Sequence, residues 1–150
     1  MPGRPPDPSD YSVHGDRVTV QAAETLGHFA DWLERRASDL RKLNRMRFEQ
    51  PVVIGQKLKL EFSRVSAEEF EQRRLEYHQS LQDEFFEAFS VTGTERHVLE
   101  AGESLWYLAQ RKYRVPVWLL RQYNPDLDFA ALTPGAPLIV PVVEPREGQS

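Results

Sequence analysis

One pattern occurs twice in this chain, and it restricts the fold more than any other feature of the sequence. In its first occurrence Arg17-Val-Thr-Val-Gln21 alternates like a half-buried strand. Thr25 then stands where it can cap a helix carrying Leu26, Phe29, Ala30 and Leu33 at i, i+3, i+4 and i+7. Ser38 is placed to cap a second helix with Leu40 and Leu43, followed by Asn44, a loop and a closing strand, Gly55-Gln-Lys-Leu-Lys-Leu60. In the second occurrence Val98 and Leu99 extend, Gly102 frees the backbone to turn without Cβ hindrance, and Ser104 can cap a helix with Leu105, Leu108 and Ala109 on one face. That copy continues through Tyr113, Val115, Leu119, Leu120, Tyr123, Asn124 and Pro125 to Pro134-Gly-Ala-Pro-Leu-Ile-Val-Pro141. Ala30 aligns with Ala109, Asn44 with Asn124 and Gly55 with Gly135, a spacing of 79 residues early and 80 late. The first copy is therefore expected to have one residue fewer between its helices, and so regular a repeat is rarely chance.

The second copy, with Gly102-Glu-Ser-Leu105, Ala109, Asn124-Pro125 and Gly135 followed by Leu138 and Val140, resembles a LysM domain. That family is a small βααβ module that holds glycans containing N-acetylglucosamine, notably peptidoglycan and chitin. The resemblance implies an α+β fold of two LysM-like βααβ modules with a long connecting α-helix. It also implies a site, since in the family the ligand lies between the loop leaving the first strand and the loop entering the last. Carried over, the ligand-binding residues are Gly102, Glu103, Ser104 and Leu105 on one side and Asn124, Pro125, Asp126 and Leu127 on the other. Structural duties compete at several of them: Gly102 serves the turn, Ser104 the cap, Leu105 the core and Asn124 a helix end. Nothing in the local pattern requires Asp126 or Leu127 for packing. The first copy departs from the family, with Ala23 in the place of Gly102 and Arg45, Met46 and Arg47 after Asn44, so its fold is better supported than its binding.

The expected layout is a disordered leader at 1–12, a degenerate LysM-like repeat at 13–63, an amphipathic connecting helix and linker at 64–93, the LysM domain at 94–143 and a solvated tail at 144–150. Ser66-Ala-Glu-Glu69 has the form of a capping box, and about twenty residues without glycine or proline follow it. Phe70, Tyr77, Leu81, Phe85 and Phe89 make an apolar stripe at helical steps. Such a stripe needs a partner. Docking onto the repeats is the leading expectation; self-association, or contact with the rest of a parent chain through the 66–90 helix, are the others. Trp106 and Trp118 sit next to core positions and are expected beneath this helix more than against sugar.

A net charge of −4 argues against nucleic acid and suits a neutral polymer, because binding phosphates needs a basic surface. Without cysteine there is no disulfide or thiolate site. The carboxylate pairs Glu68 with Glu69 and Asp83 with Glu84 are adjacent on a helix, where they point apart, whereas glycoside hydrolysis needs two across a cleft. His14, His28, His78 and His97 lack zinc-site spacing. No catalytic residue, metal or cofactor is expected.

The first ten residues lack the apolar core of a secretory signal, and no run approaches a membrane span. Taken literally the chain stays in the cytosol, where an intracellular protein-interaction module built around the helix is the alternative function. A peptidoglycan binder meets its ligand outside the membrane. The expectation is therefore the anchoring part of an exported bacterial cell-wall protein, in the periplasm or cell envelope; an aromatic helix leading into such a copy is similar to the tails of some lytic enzymes.

Overall fold

The computed structural model describes residues 8–129 and 131–147, so most of the expected leader and the end of the expected tail lie outside the described residues. The described residues fall into two compact units, one running to Ser80 and one starting at Leu81.

In the first unit a 3-10 turn (Pro8–Tyr11) precedes β1 (Arg17–Thr19), α1 (Leu26–Leu33), α2 (Ala37–Leu43), β2 (Lys57–Lys59) and the beginning of α3 (Ala67–Ala88). β1 and β2 pair antiparallel, with Val18 opposite Leu58. Both side chains point into a core shared with Phe29, Leu33, Leu40 and Phe70. Thr25 caps α1 by accepting from the His28 N–H. Ser38 does not cap α2. The N-cap is Arg36, two residues earlier, and the Asp39 carboxylate accepts from the Arg36 N–H at 3.3 Å, reaching back from the first turn to satisfy the cap residue's own amide.

The second unit takes the last part of α3 and continues with β3 (Phe89–Val98), α4 (Leu105–Tyr107), a π-helical turn (Leu108–Lys112), α5 (Val117–Tyr123) and β4 (Pro137–Pro145). β3 and β4 pair antiparallel over Leu99, Leu108, Leu120, Leu138 and Val140. Phe89, counted on the helical stripe, belongs to β3, and so does Val91-Thr-Gly-Thr94, read from sequence as a link. Val91 pairs with Val143, Gly93 with Val142 and Thr94 with Pro141, and the register shift between Val91 and Gly93 absorbs Thr92 as a bulge. Glu144 and Pro145 lie in β4. Arg146 donates from its backbone N–H to Ala88 O and from Nε to Phe86 O, satisfying carbonyls that the end of α3 leaves open.

Both units are βααβ modules, and the extra residue of the second has a definite place. Ala30 corresponds to Ala109, but Glu34, which ends α1 at φ +57, corresponds to Arg114 at φ +53, one residue further along. The insertion falls within the π-helical turn, where a wider winding accommodates one residue without shifting the flanking faces.

On α3 the deeply buried positions step by four: Phe70, Arg74 and His78 in the first unit, Gln82 and Phe86 in the second. Tyr77, Leu81 and Phe85, on the expected stripe, are half-buried. The inward face thus carries three polar side chains that a count of apolar residues cannot find.

Candidate functional site

Gly102 lies at φ +85 with open space where a Cβ would project, so glycine is required there by conformation and not by crowding. Beside it Glu103 turns its carboxylate inward. Oε1 accepts from the Glu100 N–H and from His97 Nε2, each at 2.8 Å, and His97 Nδ1 lies 2.8 Å from the Tyr113 hydroxyl. The Glu100 amide first, and His97 after it, hold the Glu103 carboxyl below its ordinary range. Ser104 Oγ accepts from the Tyr107 N–H at 3.0 Å, and Leu105 packs half-buried on the core. The side chains of this loop are committed to the fold, while Gly102 and Ser104 remain exposed.

The second loop starts where α5 ends. Asn124 is buried; its Nδ2 donates to Leu120 O at 2.8 Å and Ile139 O at 2.7 Å, and its Oδ1 accepts from the Ile139 N–H at 2.8 Å. Arg121 Nη1 donates to Pro125 O at 3.0 Å and Leu127 O at 2.8 Å, which fixes the loop's course. Around it lies a pocket of about 660 Å³, lined by Tyr123 through Leu127 together with Arg96 of β3 and Ile139 of β4. Gly102, Glu103, Ser104 and Leu105 are not part of that lining. Asp126 is exposed, whereas Leu127 divides its surface between the pocket and the core.

The family model of the LysM domain matches this chain twice, over residues 18–61 and 97–141. The chain belongs to the LysM domain family. Among solved structures it is similar to the spore cortex-lytic enzyme SleL of Bacillus cereus, at 20% identity over 84% of this chain and 22% of that one with a TM-score of 0.29. It is also similar to SleL of Bacillus megaterium QM B1551, at 18% identity over 88% of this chain and 23% of that one, again with a TM-score of 0.29. The chain spans less than a quarter of either. No curated protein matches it.

The two LysM copies build the same frame and finish it differently. Ala23 takes the left-handed turn of Gly102, at φ +66, so the missing glycine strains the turn without preventing it. Asn44 repeats Asn124 bond for bond, with Nδ2 donating to Leu40 O and Lys59 O, both at 2.9 Å, and Oδ1 accepting from the Lys59 N–H at 2.7 Å. Glu24 stands where Glu103 does and accepts from the Gln21 N–H at 2.7 Å, as Glu103 does from Glu100.

There the likeness stops, because α3 reaches over the first copy's loop. Arg74 donates to Glu24 from Nε at 2.7 Å and from Nη2 at 2.8 Å, and His78 Nε2 lies 2.7 Å from the same carboxylate. Arg74 Nη2 also donates to Thr19 O, and the Tyr77 hydroxyl donates to Ala23 O. The guanidinium lies over the rings of Tyr11 and Phe29, and Tyr11 stacks on His78 at 4.2 Å. Burial alone would raise the Glu24 carboxyl, but the hydrogen bonds and charges of Arg74 and His78 outweigh it and hold it below its ordinary value. Burial, with help from the Glu24 charge, raises the Tyr77 phenol.

Sequence reasoning missed this cluster. Its signal was present: Glu24 aligns with Glu103, and Arg74 and His78 continue from Phe70 at four-residue steps. The tryptophans separate as well. Trp118 meets Phe85 and Phe86 edge-on, at 5.3 and 5.8 Å between centroids, as expected of a docked residue, whereas Trp106 is 60% exposed.

Proposed function

We propose that the chain binds glycan without cleaving it, holding peptidoglycan or a related N-acetylglucosamine-containing polymer through its second LysM copy. In this reading it is the anchoring part of a bacterial cell-wall protein in the periplasm or cell envelope. The observation that carries the proposal is the contrast between the two copies. In the second, the loops at Gly102–Leu105 and Asn124–Leu127 are held by Glu103, Ser104, Asn124 and Arg121, and Gly102, Ser104, Pro125 and Asp126 stay exposed. Rigid, exposed backbone donors and acceptors are what a sugar's hydroxyl and acetamido groups need, since little ordering has to follow contact. In the first, the Ala23 carbonyl already accepts from Tyr77, and Arg74 and His78 of α3 hold Glu24 beside it.

The alternative, a module that displays its helix to a protein partner, is less well supported. The aromatic side chains of α3 are used within the chain, Phe70 in the first core and Phe85 with Phe86 against Trp118. The deciding experiment sediments purified peptidoglycan sacculi with the protein, then assays the pellet for protein and the supernatant for released sugar. Protein in the pellet with no sugar released is the expected result. Released sugar would make the chain an enzyme, and protein left in solution would turn preference to the interaction module.

A further inference from the structure

The first turn of α4 exposes two aromatic rings, with Trp106 60% and Tyr107 46% accessible. The Arg111 guanidinium lies 5.7 Å from the Trp106 ring centroid, and Lys112 and Arg114 are exposed nearby in the chain. This surface borders the candidate loop, because the Lys112 charge contributes to holding down the Glu103 carboxyl. A group of cations beside exposed aromatic rings is not the general character of a chain of net charge −4. The first copy offers a comparison. Its residues at the positions of Trp106 and Tyr107 are Gly27 and His28, and the His28 ring packs 4.5 Å from Tyr77 of α3 and 5.7 Å from Trp32. The first copy leaves Gly27 exposed and packs His28, whereas in the second both positions carry exposed aromatic rings, with a guanidinium over the indole.

We propose that Trp106 and Arg111 form a subsite for a carboxylate-bearing sugar, so that the second copy prefers an acidic glycan to a neutral one. This rests on the reading of that copy as a glycan-binding module and departs from the expectation of a neutral polymer. The indole takes the apolar C–H face of a pyranose ring. Arg111, which already lies over the indole, offers a planar fork of donors that matches a carboxylate. Both groups are exposed, so recognition requires no opening of the fold.

The test uses the full chain and a peptide-free tetrasaccharide of alternating N-acetylglucosamine and N-acetylmuramic acid, once with free carboxylates and once with those carboxylates amidated. Affinity is measured by calorimetry at low and high salt and by tryptophan fluorescence, which Trp106 should dominate on binding because Trp32 and Trp118 are buried. The free acid should bind roughly three- to tenfold tighter at low salt, the scale of an exposed charge-assisted pair, and the advantage should shrink at high salt. Arg111→Gln should abolish the preference while leaving affinity for the amidated form unchanged, and Trp106→Ala should weaken both forms and remove the fluorescence response. Equal affinity for the two forms, or a preference that survives Arg111→Gln, overturns the subsite and leaves glycan binding standing. Failure of both tetrasaccharides and of whole sacculi to bind overturns the subsite together with the reading beneath it.

Discussion

Glu24 and Glu103 occupy one position in two copies of a motif and share one task, receiving the amide of the residue three before them. What differs is the second partner, and with it the cost of a change. Glu24→Gln removes the charge that the buried Arg74 guanidinium is paired with, and losing one member of such a pair destabilises by about 3–5 kcal/mol. Urea unfolding followed by near-ultraviolet circular dichroism of the aromatic cluster around Trp32 should show the loss. Its pH dependence has a definite sign. The folded carboxyl titrates below the unfolded one, so its contribution is complete above the ordinary glutamate value, about 4.3, and fades as pH falls through the lower folded value. Melting temperatures of the wild type and Glu24→Gln should therefore converge on acidification and stay apart at neutral pH. A constant gap across that range would mean that the charge is not what stabilises the cluster. The turn residues make a second pair. Ala23→Gly should stabilise and Gly102→Ala destabilise, each on the order of 1 kcal/mol, because both positions hold a left-handed backbone and only one has glycine. Opposite shifts in melting temperature are the expected readout.

Between elements, the most consequential residues are the two asparagines, which tie the second helix of each copy to its closing strand. Asn124→Ala and Asn44→Ala each remove bonds to two carbonyls and one amide, and at about 1 kcal/mol per bond each should cost roughly 2–4 kcal/mol. Equal losses by denaturation would identify Asn124 as a fastener first; a stable, folded Asn124→Ala that merely loses ligand would not fit this geometry. The sequence made the asparagines visible by repeating them, and it made both βααβ patterns visible through apolar spacing and capping residues. It hid α3's inner face, because periodicity counts apolar side chains, whereas Arg74, His78 and Gln82 are buried there, the first two against Glu24. It hid the extent of β3 because Gly93 reads as a break in a linear scan, whereas in the sheet it pairs with Val142 and the bulge falls at Thr92. The candidate loops were legible only as positions. That Glu103 faces inward, and that a pocket joins Asn124–Leu127 to Arg96 and Ile139, depends on pairing across residues far apart in the chain.

At the scale of the whole chain, two copies of one fold are expected to make one site. The first copy's loop is tied to α3 by Arg74, Tyr77 and His78, and among the described residues no arginine–glutamate pair of that kind covers the second copy's loops, so one glycan per chain is the expected stoichiometry. A short N-acetylglucosamine oligomer, too short to span two copies, should titrate calorimetrically at one per chain. Backbone resonances that shift on its addition should lie among residues 94–143 and spare Ala23 and Met46. Asp126→Ala is a better probe of the site than a change at Leu127, since Asp126 is exposed and Leu127 also packs on the core. If there is a single site, avidity on a polymer does not come from two copies acting in series within this chain; a further binding module or a second chain on the same polymer would be what raises the effective concentration. Two oligomers bound per chain, or shifts at Ala23 and Met46 comparable to those near Asp126, would show that the first copy is open despite its tie to α3 and that avidity resides within these 150 residues.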